Sequence, residues 1–238
     1  MAALLAKYGN FDYLETLPES STHIDPFTLQ YHEATAIEDG GVYAGTWNKD
    51  TNLFEGLGVR ITADGSIYEG YFLQGQGWGK GRTINSQDNE VYTGDFAFGK
   101  RCGLGTLATE EGTLYVGAWS EDQKWGKGKE TWVDGAFYEG DFLRGLKHGR
   151  GFFKWNDQSN YDGEFYENQI QGSGTYNWAD NRSYIGQWQE NKMHGYGVFT
   201  WEDGRKYEGS YVDDKKEGNG RFTWPDGRVY EGLWKDGR

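Results

Sequence analysis

Three side chains capable of nucleophilic or metal chemistry, Cys102, His148 and His194, stand at equivalent places in the chain, each ten residues after a tyrosine that opens a Tyr-x-Gly triplet. A Cys–His dyad needs hydrogen-bond contact, and a metal needs ligands that converge on one point. Neighbours in this series are two units of two strands apart, about 19 Å at ~4.8 Å per strand. They therefore read as turn residues. Acids form a second series: Glu69, Glu139, Asp162, Glu208 and Glu231 each follow a repeat tyrosine. Adjacent units place such carboxylates about 10 Å apart, at the edge of an inverting glycosidase pair. Their alternation with the aromatics makes them a solvated acidic face that keeps the chain soluble. His23 and His32 lie outside both series. No glycine-rich nucleotide fingerprint, P-loop or nucleophile elbow is present. The expectation is no catalytic residue, no metal, no cofactor and no enzyme.

Aromatic rings carry the remaining chemistry, which is recognition. Tyr115, Trp119, Tyr138, Phe142, Tyr161, Phe165, Tyr184, Trp188, Tyr207 and Tyr211 fall on one face of a sheet if the chain alternates with period two. A single layer has no second sheet to cover such a face, and a contiguous apolar stripe marks a binding site. The ten rings are the expected partner-binding groove, besides holding one repeat to the next. A helix or an extended segment laid in it would use them as anchors.

What must position these rings is a repeat. Tyr-x-Gly recurs at Tyr43, Tyr68, Tyr92, Tyr115, Tyr138, Tyr161, Tyr184, Tyr207 and Tyr230, with intervals of 25, 24 and then 23. The fourth residue after each of these tyrosines is aromatic every time, from Trp47 to Trp234. A Gly-x-Gly follows in each complete unit, for example Gly149/Gly151 and Gly195/Gly197, so that 25 of the 38 glycines keep fixed places. Each unit reads as two short strands, with pairs such as Asp134-Gly135 and Asp203-Gly204 closing hairpins. A 23-residue unit leaves no room for a helical crossover, so successive strands are antiparallel neighbours. Stacked units bury a continuous stripe that one hairpin cannot. The predicted fold is all-β: an elongated single-layer antiparallel β-hairpin solenoid, roughly seventeen strands and about 80 Å long. Residues 1–40 form an acidic, partly irregular extension, and residues 41–238 form the repeat domain of eight complete units plus a C-terminal half unit.

Composition limits the alternatives. Leu, Ile, Val and Phe make up less than a fifth of the 238 residues and the formal charge is -13, which together flag disorder. The 11 Trp, 17 Tyr and 13 Phe overturn that flag, because each buried aromatic removes ~150–250 Å² from water. One cysteine excludes an internal disulfide framework and a Cys-rich zinc site. The acidic field argues against nucleic acid as a partner. No apolar run is long enough to span a membrane and no signal peptide is evident, so the chain reads as soluble and non-secreted.

The motifs Tyr138-Glu139-Gly140-Asp141-Phe142 and Leu146-Lys147-His148-Gly149-Arg150-Gly151 resemble MORN repeats (membrane occupation and recognition nexus). So do Tyr184-Ile185-Gly186-Gln187-Trp188 and Lys192-Met193-His194-Gly195-Tyr196-Gly197. The resemblance covers residues 41 to 238 and implies a twisted sheet of hairpins that holds partners, membranes or cytoskeletal parts together. It is weakest early: Trp stands seventeen residues after the tyrosine at Trp132, Trp155, Trp178, Trp201 and Trp224, whereas Asn85 and Thr109 fill that place in the second and third units. Those units are expected to pack more loosely or to meet something else.

The resulting expectation is a non-enzymatic structural adaptor in a large cytoskeletal assembly. It would be cytoplasmic and cytoskeleton-associated, with the radial spoke heads of motile cilia as the closest layout among similar proteins. The alternative is membrane or phosphoinositide attachment through Lys124, Lys127 and Lys129, or Arg144, Lys147 and Arg150. Residues 1–40 are expected to cap the first repeat or to dock on a partner. The final half unit offers an edge strand for a partner or a second copy.

Overall fold

The computed structural model describes residues 24–238. The chain divides into two compact units, Met1–Gln123 and Lys124–Arg238. In the first, a single 3-10 turn, Pro26–Thr28, is capped by the Asp25 carboxylate, which accepts the N–H of Phe27 at 3.0 Å. Strands β1 (Leu29–Ala36), β2 (Val42–Asn48), β3 (Leu53–Ile61), β4 (Ile67–Leu73), β5 (Gln76–Ile84), β6 (Val91–Ala97), β7 (Lys100–Ala108) and β8 (Leu114–Ser120) follow. Each is antiparallel to the next. Strand β1 precedes the first repeat and pairs with β2 from Leu29↔Asn48 to Ala36↔Val42. His23 and the rest of the first 23 residues of the expected extension lie outside the described residues.

The second unit is built the same way. Its strands are β9 (Gln123–Thr131), β10 (Phe137–Leu143), β11 (Leu146–Lys154), β12 (Asn160–Tyr166), β13 (Gln169–Asn177), β14 (Ser183–Gln189), β15 (Lys192–Thr200), β16 (Lys206–Val212), β17 (Lys215–Thr223) and β18 (Val229–Trp234). All pair antiparallel in sequence order. The architecture is a single-layer antiparallel β-solenoid of hairpins with a buried aromatic cluster along the sheet.

Two turn types alternate. The tight one puts both central residues at positive φ, as at Arg144 (51°) and Gly145 (83°) or Glu167 (47°) and Asn168 (70°), which matches the right-handed twist of the strands it joins. The wider one is the Asp-Gly turn: Gly135 donates its N–H to Trp132 O at 3.0 Å, and the Asp134 carboxylate accepts from Ala136 N at 3.0 Å.

The two glycines of Gly-x-Gly have different tasks. Gly149 sits at φ +62°, where the register shifts between Gly140 and Phe142. It absorbs a bulge in the left-handed region. Gly151 lies opposite Gly140, and a Cβ there would overlap the ring of Tyr138. The tyrosine therefore rests flat on backbone, and the layer provides its own core without a second sheet.

Candidate partner-binding groove

The ten rings expected to line an open groove are all buried. Tyr138, Tyr161, Tyr184 and Tyr207 are 0% exposed, and Phe142, Phe165, Trp188 and Tyr211 are at most 6% exposed. Tyr115 and Trp119 are equally enclosed within the first unit. The reason is the interlock between repeats. Tyr138 meets Phe142 of its own strand at 5.1 Å and Phe165 of the following repeat at 5.1 Å, both edge to face. Its hydroxyl donates to Asp141 O at 2.9 Å. Tyr161, Tyr184 and Tyr207 repeat this pattern against Trp188, Tyr211 and Trp234. Burial pushes the phenols of Tyr138, Tyr161 and Tyr184 well above the usual tyrosine range and that of Tyr207 up to about 12. These rings are the floor of the groove.

A side chain nine residues after each tyrosine covers that floor: Lys147, Ile170, Met193 and Lys216 in the second unit. The Lys216 ammonium sits between four rings, 5.1 Å from Trp201, 5.1 Å from Tyr207, 4.9 Å from Phe222 and 4.6 Å from Trp234. Lys147 lies over Trp132, Tyr138 and Phe153 at 5.0, 5.6 and 5.7 Å, with Glu130 at 3.9 Å. Burial lowers the pKa of both lysines. Counting charges missed this role, whereas the fixed spacing from the tyrosine was a signal that could have shown it.

A different series supplies the more accessible rings, although its members Phe199 and Phe222 are themselves buried. Trp132, Phe153, Trp155, Tyr176, Trp178, Phe199, Trp201, Phe222 and Trp224 run ring against ring through the second unit. Centroid separations lie between 4.4 Å for Phe153–Trp155 and 5.5 Å for Trp201–Phe222. The five tryptophans are half-buried. Cross-strand partners such as Tyr138 and Phe153 place this ladder on the same face as the tyrosine floor. In the first unit the equivalent places hold Thr83, Asn85, Leu107 and Thr109, and the ladder gives way to an open cleft of about 320 Å³ lined by Arg60, Thr83, Asn85, Arg101 and Leu107.

The basic residues considered for headgroups are largely engaged within the protein. Lys127 pairs with Asp141 at 2.7 Å, Lys129 with Glu139 at 3.2 Å, and Lys124 with Glu130. Arg144 occupies a tight turn and Arg150 is exposed. Among the repeat acids Glu139, Asp162 and Glu231 are exposed, but Glu69 is buried. Arg82, directly opposite in register, supplies the countercharge that lets Glu69 leave water. Cys102 is half-buried, with its thiol pKa raised by burial and by Asp95. His148 packs on Tyr166 at 5.1 Å, and His32 lies 5.5 Å from Trp47. Among the described residues no group of three or more His, Cys, Asp or Glu could hold a metal ion, and no helix is long and apolar enough to cross a membrane.

Seven segments match the MORN repeat family: residues 43–67, 92–113, 115–137, 138–160, 161–181, 184–204 and 207–227. The chain belongs to the MORN-repeat family. The MORN units cover about two thirds of it, and the unmatched stretch between residues 68 and 91 still forms the hairpin β4–β5. Curated proteins give no match. Among solved structures, the chain is similar to the TCP domain of SAS-4 (dCPAP) of Drosophila melanogaster in complex with a proline rich motif of Ana2 (dSTIL). That likeness has 12% identity and a TM-score of 0.26 over 94% of this chain and 100% of that one. It is also similar to a catalytically inactive virginiamycin B lyase from Staphylococcus aureus with quinupristin, at 14% identity and a TM-score of 0.17 over 89% and 72% of the two chains. As a MORN-repeat protein the chain is a repeat scaffold whose aromatic groove is suited to partner binding.

Proposed function

We propose that this MORN-repeat protein is a structural adaptor in the cytoplasm. It would hold partner proteins within a large cytoskeletal assembly, of which the ciliary radial spoke head is the specific form. One observation carries the adaptor reading: a rigid aromatic floor, immobilised by hydrogen bonds and interlocked rings, supports a ladder of half-buried tryptophans across the second unit. Rigid aromatic surface binds at low entropic cost, because its side chains are already ordered. The near-pure repeat adds to it, since such arrays offer extended surfaces and little else. The ciliary placement rests on the similar layout of spoke-head proteins and is an analogy of architecture.

The test is affinity capture from ciliated cells with the intact chain and with Trp178→Ala, both checked for native circular dichroism. The adaptor reading expects cytoskeletal proteins on the intact chain and their loss from the variant. Capture of axonemal components supports the spoke-head form. Equal capture by both chains, or recovery of soluble enzymes alone, overturns it.

A further inference from the structure

The ladder has a period, and that period has a chemical counterpart. Successive tryptophans Trp132, Trp155, Trp178, Trp201 and Trp224 are one repeat of two strands apart, about 9.6 Å at ~4.8 Å per strand. The ring contacts agree, since Phe153 bridges Trp132 and Trp155 at 5.4 and 4.4 Å. A polyproline II helix advances about 9.3 Å per turn of three residues. An α-helix advances ~5.4 Å per turn and meets such a ladder out of step.

Two further features select a ligand. Among the described residues, the indole N–H groups of Trp119, Trp188 and Trp234 donate to backbone carbonyls at 3.3, 3.3 and 3.1 Å. Those of the five ladder tryptophans meet no acceptor among the described residues and are not fully buried, so each is open to an outside acceptor. A polyproline helix has no internal hydrogen bonds and presents its carbonyls outward. Charge then sets direction. Arg182, Arg205 and Arg228 neutralise Asp180, Asp203 and Asp226 at 2.8, 2.7 and 2.7 Å. At the other end Ala136 and Ser159 stand in place of the arginine, and Asp134 and Asp157 accept only N–H and hydroxyl groups. Two uncompensated carboxylates there favour a basic residue.

We propose that the tryptophan ladder of the second unit binds a proline-rich segment in the polyproline II conformation, with a basic residue at the Trp132–Trp155 end. This rests on the partner-binding reading above and names the partner's chemistry. Proline rings pack against the indoles every third residue, and the indole N–H groups donate to the intervening carbonyls.

The probe is a labelled synthetic peptide of roughly 15 residues, Pro-Pro-Ala triplets opened by Arg, long enough to cover the ladder at ~3.1 Å per residue. Its anisotropy is measured with the full chain. Saturable binding is expected, weakened roughly tenfold by Trp155→Ala and about fivefold by Trp155→Phe, which keeps the stacking ring but removes the donor. Asp134→Asn with Asp157→Asn should weaken the Arg-led peptide and leave an Ala-led one unchanged. Equal binding of a Gly-Ser peptide with the same ends, preference for an amphipathic helical peptide, or no binding overturns the proposal. If the proline-rich peptide fails while Trp178→Ala still abolishes partner capture, this inference falls and the adaptor reading stands.

Discussion

The ring of Tyr138 lies on the backbone of Gly151, in the volume that a side chain there would fill. Gly151→Ala forces the ring off its seat and away from Phe142 and Phe165, so a loss of about 3 kcal/mol is expected. Gly145→Ala is the contrast. That glycine has φ +83° and nothing within 4 Å of an added Cβ, so only the left-handed backbone resists, at about 1 kcal/mol. Urea denaturation of both variants separates overlap from backbone strain. Equal losses would refute the seat.

The phenol oxygens test the same unit from the other side. Every repeat tyrosine donates to the carbonyl three residues on, at 2.9 Å for Tyr138, 3.0 Å for Tyr184 and 3.1 Å for Tyr207. Tyr138→Phe keeps the ring on its glycines and should cost about 1 kcal/mol. Tyr138→Ala empties the seat and should cost ~3–5 kcal/mol. Thermal melts of the two variants check the split between the hydrogen bond and the packing.

The period was legible because each residue type has a fixed geometric task. Tyr138, Gly140 and Gly151 must recur together if one ring is to lie on two paired strands, and this leaves a mark on the sequence. The depth of that seat left none. Whether a ring is a floor or an open surface depends on the neighbouring repeat and on the cover nine residues on, so Tyr138 and Tyr184 read both as groove and as the join between repeats, and their burial as its floor needed the structure. Lys147 read as a basic patch for the same reason: its charge is visible in the sequence, but its place over Trp132, Tyr138 and Phe153 depends on register. The tryptophan series was visible only as a mark of where the family pattern weakens. Its role as the open ladder needed the burial of everything beneath it.

Lys216 allows the cover position to be tested. Burial disfavours its ammonium, while four rings within 5.1 Å favour it. The neighbouring repeat solves the same problem with Met193. Lys216→Met should therefore change stability by less than about 1 kcal/mol, because the two terms nearly cancel and the volume is kept. Lys216→Ala uncovers the rings and should cost about 2 kcal/mol. A loss with Met as large as with Ala would mean that the charge itself holds this repeat.

Asn168 joins two repeats by a clasp that depends on its turn. Its side-chain oxygen accepts the N–H of Lys147 at 2.9 Å, and its own N–H donates to Lys147 O at 2.9 Å. Asn191 and Asp214 do the same for Ile170 and Met193. Asn168→Gly keeps the left-handed conformation and loses only the side-chain acceptor, at about 1 kcal/mol. Asn168→Ala loses both and should cost about 2 kcal/mol. Hydrogen exchange at the Lys147 amide should quicken in both variants, and unchanged protection would dismiss the clasp.

Alkaline pH should dismantle the floor cooperatively. The phenols of Tyr43, Tyr92, Tyr138, Tyr161, Tyr184 and Tyr211 are all raised, chiefly by burial, and Tyr207 rises from 10.0 to about 12. Below pH 10 the folded and unfolded chains both hold these protons, so the contribution to stability is complete. Above it the unfolded chain releases protons that the folded chain keeps, and stability falls as pH rises through the Tyr207 value. Melting temperature should therefore be insensitive to these groups up to about pH 10 and drop steeply between there and about pH 12. The tyrosinate step that is missing from Tyr138→Phe should appear together with loss of the β-sheet signal, because a buried phenol ionises only when its repeat opens. If that step came while the sheet stayed intact, the Tyr138 ring would stand in water and the interlocked core would be contradicted.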